Sequence, residues 1–209
     1  MESIEFFFDP ICPWAWISSR WVEELVDQSA VKCTWKFISL RELNAGKDYA
    51  LNFPPRYPEI HGLGHKLLRV AALARDEGGN EAVARFYSAA GREIHTNSNR
   101  ETYLNGGSIE PILRAADLPK SMEEAMEEDR FDSTIKEETE LALSRTGRDV
   151  GTPIISLSGH EDVSFFGPVM SSIPKGDDAL RLFEAYKTFA SFPGFAEVKR
   201  SLRFPPSFL

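Results

Sequence analysis

The chain has 209 residues, of which 42% are hydrophobic and 27% are charged, and its formal net charge is −8. This composition is typical of a globular protein, and no apolar run approaches the roughly 20 residues that a membrane-spanning helix needs. The negative charge argues against binding to nucleic acid or anionic lipid, because such binding depends on clustered Lys and Arg. The first residues carry no basic stretch and no small-residue cleavage site, so we expect a cytosolic protein without a signal peptide.

The first 40 residues read as strand, helix and strand. Residues 4–8 are consecutive strand formers, and the following Asp-Pro pair ends the strand because proline has no N–H to donate. From residue 13 to about 28, apolar side chains recur at helical spacing. Residues 33–39 alternate between two faces, which predicts a second strand. Two strands joined through a helix predict a right-handed parallel crossover, the start of an α/β sheet.

The middle of the chain is predicted to be helical. Residues 40–60 contain three prolines and predict a long irregular connection. Residues 62–142 carry successive apolar stripes at helical spacing, and a capping box at Ser121–Glu124 is expected to start the last of four helices.

The last part returns to strands and a helix. Residues 154–157 and 163–166 predict a β-hairpin around a turn at 158–160, and residues 177–190 predict a closing helix. We therefore expect one α/β domain formed by residues 1–60 and 147–209, with residues 61–146 as an all-helical insertion.

Cys12 lies between the first strand and the first helix, so its sulfur is expected at the helix N-terminus. Unpaired backbone N–H groups and the helix dipole stabilise a thiolate there, and the thiolate is the form that attacks disulfides. Pro13 suits the first helical position because its missing N–H is not needed there. We predict that Cys12 is catalytic and partly exposed, with a pKa below the ordinary value of about 8.5.

The second cysteine, Cys33, shares its strand face with Trp35 and Phe37. We predict that it is a buried packing residue with a raised pKa and not a resolving thiol. Two cysteines do not make a disulfide scaffold, and a reducing compartment keeps both thiols free.

Gly151-Thr152-Pro153 stands directly before a predicted strand. An X-Pro bond here is either cis or part of an ordinary trans turn, and the cis form would free the Thr152 N–H and C=O to pair with an extended partner. We predict that the bond is cis and that Pro153 faces Cys12 across a cleft under the insertion, within about 7 Å of the sulfur. Pro153 is therefore predicted to be a catalytic residue together with Cys12.

Asp9-Pro-Ile-Cys-Pro-Trp-Ala-Trp16, with Gly151-Thr-Pro153 some 140 residues later, resembles the DsbA-like branch of the thioredoxin superfamily. The chain is most similar to the actinobacterial mycothiol-dependent nitroreductase and disulfide-oxidoreductase group. The runs that carry this closer resemblance are Trp16-Ile-Ser-Ser-Arg-Trp21, Gly91-Arg-Glu-Ile-His95, Phe165-Phe-Gly-Pro-Val169 and Ile173-Pro-Lys-Gly176. The resemblance covers nearly the whole chain. It implies a thioredoxin fold and a low-molecular-weight thiol, mycothiol or a glutathione-like one, as co-substrate, with no permanently bound cofactor.

The active-site motif departs from that family, which carries Cys-Pro-Trp-Cys where this chain reads Cys12-Pro13-Trp14-Ala15. A second cysteine would attack a mixed disulfide on Cys12 and release the substrate, and the methyl group of Ala15 cannot. The sequence leaves two explanations open: a natural monothiol variant, or an engineered substitution that traps the intermediate.

The predicted substrate-binding residues are Pro13, Trp14, Ala15, Asn44, His95 and Thr152. Trp14 and Trp16 offer flat apolar surface for an aromatic or quinone-like substrate, although one of them is expected in the core. The resemblance places Asn44 close to the thiol cleft, and His95 of the insertion is a candidate for lining the cleft above Cys12.

No metal site is predicted, because no histidine is paired with a cysteine or carboxylate residue at the sequence spacing of a zinc site. His61 and His65 stand four residues apart, but Gly62 and Gly64 weaken a helix between them. As partners we expect a small thiol and a disulfide or small aromatic compound, with the protein a monomer or a homodimer.

Two other functions compete with thiol redox chemistry. Kappa-class glutathione transferases and 2-hydroxychromene-2-carboxylate isomerases bind a thiol cofactor on a similar fold, but they carry serine at the position of Cys12. The other alternative is a non-catalytic peptide-binding module that lost turnover with its second cysteine. The cysteine at position 12 favours redox chemistry over the first alternative.

Overall fold

The computed structural model describes residues 1–157, 163–201 and 204–208. Its sheet has the strand order β2-β1-β3-β4, in which β1 pairs parallel with β2 and antiparallel with β3. The strands are β1 Glu2–Phe8, β2 Val31–Phe37, β3 Ile154–Leu157 and β4 Ser164–Phe166. This is a thioredoxin fold, and the predicted parallel crossover at its start is confirmed.

Helix α1, Pro13–Asp27, joins the two parallel strands and buries one face on the sheet. The Trp21 side chain of α1 donates through Nε1 to the carbonyl oxygen of Ala179 at 3.0 Å, which fixes α1 beside α8, Gly176–Ala190. The predicted first and last helices are therefore confirmed.

The two sheet faces bury different side chains of β1, as the alternation of a strand requires. Phe6 and Phe8 lie in the main core beneath α1, and Phe8 stacks on Tyr87 at 3.9 Å between ring centroids. Phe7 lies on the opposite face in a smaller cluster with Leu143 of the insertion.

The insertion between β2 and β3 is helical throughout its core. Its α-helices are α2 Leu40–Leu43, α3 Tyr49–Asn52, α4 Tyr57–Gly91, α5 Arg100–Leu104, α6 Glu110–Ala115 and α7 Asp132–Thr146. A π-helical turn covers Arg92–Thr96, and 3-10 helices cover Lys120–Glu127 and Asp129–Phe131. Helix α4 is broken at Gly79, whose φ of 68° lies in the left-handed region that glycine tolerates. The domain boundaries proposed at residues 60 and 147 stay a prediction.

Side chains of the insertion seal the outer edge of β2. The backbone N–H of Trp35 donates to Asn80, and that of Phe37 donates to Glu138, each at 2.8 Å. An edge strand left open would offer these groups to another chain, so the insertion protects the sheet.

Two local expectations are wrong. The supposed irregular connection at residues 40–60 contains α2, α3 and the start of α4, because Ser39 and Asp48 cap short helices with their side chains. Ser121 does not open an α-helix through a capping box; it lies inside a 3-10 helix that follows Pro119 and has no side-chain cap. The predicted hairpin strands are present, and the turn at 158–160 lies outside the described residues.

Cys33 lies on the inward face of β2 with Trp35 and Phe37, as predicted. It is partly buried and packs against the core, and burial raises the pKa of its thiol. No helix among the described residues is long and apolar enough to cross a membrane.

Candidate active site

Cys12 is the N-cap residue of α1, with extended backbone angles of φ −82° and ψ 115°. Its sulfur accepts a hydrogen bond from the backbone N–H of Ala15 at 3.5 Å, and Pro13 occupies the first helical turn. The predicted position of the sulfur at the helix N-terminus is confirmed.

The Thr152–Pro153 bond is cis, and it faces Cys12 as predicted. The Cys12 thiol donates to the backbone carbonyl oxygen of Thr152 at 3.4 Å. The Thr152 hydroxyl in turn donates to the carbonyl oxygen of Phe7 at 3.1 Å, which anchors this loop on β1. The two motifs that the sequence separates by 140 residues therefore form one site.

The expectation of a partly exposed, acidic Cys12 is wrong for this conformation. The residue is 7% exposed, and burial raises the pKa of its thiol to about 12. The backbone N–H groups of Ala15 and Trp14 act in the opposite direction but do not outweigh the loss of solvent, and the charge of Asp9 adds to the rise. Helix position alone therefore does not set the pKa, because a thiolate needs access to water as well as N–H donors.

Asp9 is a site residue that the sequence reasoning missed. It is fully buried, and its two carboxylate oxygens accept the backbone N–H groups of Ile11 at 3.1 Å and of Leu40 at 2.8 Å. These bonds tie the loop that carries Cys12 to the start of α2. Burial raises the pKa of Asp9 to about 7, against the opposing effect of the two hydrogen bonds. An acid followed by proline at the end of a buried strand is the available signal in the sequence, and by itself it indicates only a strand terminus.

His95 lies beside the Cys12 loop. Its Nε2 is 2.9 Å from the carbonyl oxygen of Pro10, and its ring stacks on Trp16 at 6.2 Å between centroids. A carbonyl oxygen only accepts, so Nε2 carries the proton. Burial lowers the pKa of His95 to about 4, and the imidazole is therefore neutral at pH 7.

The other predicted contacts lie in different surroundings. Trp14 is partly buried against the core, and the Ala15 methyl group is fully buried behind Cys12. Asn44 is buried, and its side-chain amide donates to the carbonyl oxygen of Leu40 at 2.8 Å, at the end of α2. A substrate contact by Trp14, Ala15 or Asn44 stays a prediction.

A chain of hydrogen-bonded polar side chains, buried at Ser39 and His65, links the sheet to the insertion. The Ser39 hydroxyl is 3.0 Å from Nδ1 of His65, whose Nε2 is 3.0 Å from Asp132, and Arg69 donates to both oxygens of Asp132. Ser39 is fully buried, so its hydroxyl is closed to a substrate. The chain fixes the end of β2 against α4 and α7. Within the described ranges, no group of three or more His, Cys, Asp or Glu is arranged to hold a metal ion.

Comparison with known proteins identifies the group to which this site belongs. A profile described as "Rv2466c-like: Mycothiol-dependent nitroreductase Rv2466c" matches residues 11–200. The chain belongs to this Rv2466c-like family. Among curated proteins, the uncharacterized protein Rv2286c of Mycobacterium tuberculosis is 27% identical over 208 residues, which cover 96% of this chain and 82% of that protein.

Solved structures support the fold of this Rv2466c-like protein. The probable DsbA oxidoreductase SCO1869 from Streptomyces coelicolor superposes with a TM-score of 0.57 at 12% identity, covering 96% of this chain and 100% of the other. DsbA from Chlamydia trachomatis gives a TM-score of 0.51 at 15% identity, covering 91% and 87%. The expected mycothiol-dependent nitroreductase group is confirmed by the family match, and membership of that family makes the chain a thiol oxidoreductase. The solved structures confirm the expected thioredoxin fold.

Proposed function

We propose that this Rv2466c-like protein is a cytosolic monothiol oxidoreductase in which Cys12 exchanges with disulfides of a low-molecular-weight thiol, mycothiol. The observation that carries the proposal is the placement of the Cys12 sulfur between the N-terminus of α1 and the carbonyl oxygen of Thr152. The described family supports mycothiol as the thiol.

The Thr152 backbone supplies the place for an incoming disulfide. When the thiol releases its hydrogen bond, the Thr152 carbonyl is free to accept an N–H from the amide next to the substrate sulfur, as in strand addition. The sulfur then lies opposite the disulfide, and the leaving sulfur departs away from α1.

Cys12 becomes reactive when its sulfur gains access to solvent, because the pKa of the thiol then falls. The N–H groups of Trp14 and Ala15 already lower the pKa of the thiol, while burial is the largest cause of its rise. Opening the site to solvent removes that opposing cause, so the thiolate forms when the site opens and is suppressed when it closes.

The exchange balances in two steps. The Cys12 thiolate attacks a mixed disulfide between mycothiol and a substrate thiol; a bond forms between Cys12 and the mycothiol sulfur, and the substrate thiolate leaves and takes up a proton. A second mycothiol thiolate attacks the sulfur of mycothiol held on Cys12, which releases the Cys12 thiolate and mycothiol disulfide. Ala15 contributes no sulfur, so this second step depends on free small thiol.

The two electrons released when two small thiols form a disulfide are also enough to reduce a nitro group by one step. Reduction of a nitro group to a nitroso group consumes two electrons and two protons, which two small thiols supply as they join into one disulfide, and water is the second product. We propose small aromatic nitro compounds as the second substrate class, in agreement with the family description.

The test is an exchange assay with a mycothiol-peptide mixed disulfide as substrate and free mycothiol as reductant. We expect Cys33→Ser to retain the rate of the wild type and Cys12→Ser to fall to the uncatalysed rate. A parallel assay with glutathione in both roles shows which thiol is preferred. Retention of the rate by Cys12→Ser would overturn the proposal and favour the transferase or isomerase alternative, whose relatives carry serine at this position.

A further inference from the structure

A short segment near the end of the chain packs against His95, the side chain that is bonded to Pro10 of the Cys12 loop. Residues 204–208, Phe-Pro-Pro-Ser-Phe, are called the strap here. Ser171 holds the strap at two points: its hydroxyl donates to the carbonyl oxygen of Phe204 at 3.0 Å, and its carbonyl oxygen accepts the N–H of Ser207 at 2.8 Å. The strap therefore has a defined path along the 167–175 segment.

The segment under the strap is fixed to the helix that carries Cys12. The Ser18 hydroxyl of α1 donates to the carbonyl oxygen of Pro168 at 2.5 Å, three residues before Ser171. Ser171 holds the strap, and Pro168, three residues earlier, is bonded to α1, so the strap is connected to the helix that carries Cys12 at its N-terminus.

The two aromatic residues of the strap differ in their surroundings. Phe204 is 78% exposed, whereas Phe208 is partly buried and packs against the core. The Phe208 ring lies 5.8 Å from the ring of His95, at an interplanar angle of 40°. Phe208 is thus the residue that the strap inserts.

The His95 ring is a fixed and uncharged surface. Its bond to Pro10 and its stacking on Trp16 set its orientation, and it is 7% exposed with Phe208 in place. Pro10 is two residues from Cys12, a chain distance of at most about 7 Å. A ring that replaced Phe208 against His95 would therefore contact the side chain that is bonded to the loop carrying Cys12.

We propose that the place occupied by Phe208 beside His95 is a binding subsite for a planar aromatic ring, and that Phe208 is its tethered occupant. The neutral imidazole offers an aromatic face without a charge to desolvate, which suits a flat, uncharged ring. The proposal deepens the function proposed above by placing the aromatic substrate, and it rests on that function only for the use of the subsite.

A tethered occupant competes with a free ligand. The apparent affinity of the ligand falls by the fraction of time that the subsite is open, so a strap closed about 90% of the time weakens binding about tenfold. The two prolines restrict the strap backbone, which lowers the entropy that closing it costs.

The experiment measures binding without turnover, in the absence of any small thiol. The probe is 4-nitrobenzyl alcohol, titrated by ligand-observed NMR, with cyclohexylmethanol as the saturated comparison. The proteins are the full chain and its Phe208→Ala, Phe204→Ala and Ser171→Ala variants, each checked for native circular dichroism.

We expect Phe208→Ala to bind the aromatic probe several-fold more tightly than the full wild-type chain, and Ser171→Ala to show a smaller gain because only one strap anchor is lost. Phe204→Ala should match the wild type, and no variant should gain affinity for cyclohexylmethanol. Equal or weaker binding of the aromatic probe by Phe208→Ala would overturn the subsite, as would an equal gain for the saturated probe. Failure of the exchange assay with intact probe binding would instead refute only the proposed function.

Discussion

The Cys12 thiol donates a hydrogen bond to the carbonyl oxygen of Thr152 at 3.4 Å, across 140 residues of sequence. A carbonyl oxygen accepts and never donates, so this contact requires the protonated sulfur. In this conformation Cys12 is therefore a thiol, which under the proposed function is the resting form of the nucleophile.

The resting form makes the titration of Cys12 unusual for a cysteine at a helix N-terminus. In a Cys33→Ser background, we expect the thiolate absorbance near 240 nm to increase only at pH values well above 9, because burial raises the pKa of Cys12 to about 12. The Cys12→Ser, Cys33→Ser double variant supplies the tyrosine background. A step centred below the ordinary value of about 8.5 would show that the thiolate is stable in the resting form.

Under the proposed function, the residue at position 15 is expected to determine how a mixed disulfide on Cys12 is resolved. The Ala15 N–H is 3.5 Å from the Cys12 sulfur, so a sulfur at this position would lie within reach of a bond. We expect Ala15→Cys to release the bound thiol at a rate independent of added small thiol, because an intramolecular group acts at an effective concentration in the millimolar range. Ala15→Ser is the matched control and should remain dependent on added thiol. Thiol-independent release by wild type would refute the role assigned to position 15.

Two neighbouring glycines of α4 test how tightly the insertion packs on the site. A Cβ atom at Gly64 would clash with Oδ1 of Asp9 and lie 3.0 Å from Ile11, whereas one at Gly62 would meet nothing within 4 Å. We expect Gly64→Ala to lower the free energy of unfolding by about 1–3 kcal/mol through overpacking. Gly62→Ala should raise it by about 0.5–1 kcal/mol, since alanine is the better helix former. Urea denaturation measures both, and equal effects would contradict the close contact at Gly64.

The sequence was sufficient for the fold and for the two halves of the site. Cys12 and Pro153 were predictable because each has a local signal: a cysteine between strand and helix, and a proline at a strand entrance. The environment of the sulfur was not predictable in this way. Its burial depends on side chains from distant segments, and a one-dimensional pattern does not reveal how closely they pack.

Asp9 and Phe208 illustrate the same limit. The carboxylate of Asp9 is held by Leu40, 31 residues away, and Phe208 reaches His95 across more than 100 residues. Neither contact has a periodic signature. By contrast, Cys33 was correctly placed on the inward face of β2 because strand alternation is a local property.

The buried carboxyl group of Asp9 should make stability depend on pH. Its pKa rises from 3.8 to about 7 on folding, so the folded state binds the proton more tightly. The corresponding stabilisation of the folded state amounts to about 4 kcal/mol. It is complete below pH 3.8 and is lost as the pH rises through about 7. We expect the unfolding free energy of wild type, relative to that of Asp9→Asn, to fall by an amount of this order between pH 4 and pH 8. Taking this difference cancels the opposite contributions of His61 and His95, whose pKa values are lowered to about 4. A difference that does not vary with pH would contradict the burial of an ionisable Asp9.

The most direct test of Cys12 as the working atom is mass spectrometry of the protein after incubation with the oxidised small thiol. We predict one added thiol per chain, located on the peptide that contains Cys12, stable until free thiol is added and absent from Cys12→Ser. An adduct on Cys33, or a protein that stays unmodified, would contradict the assignment of Cys12.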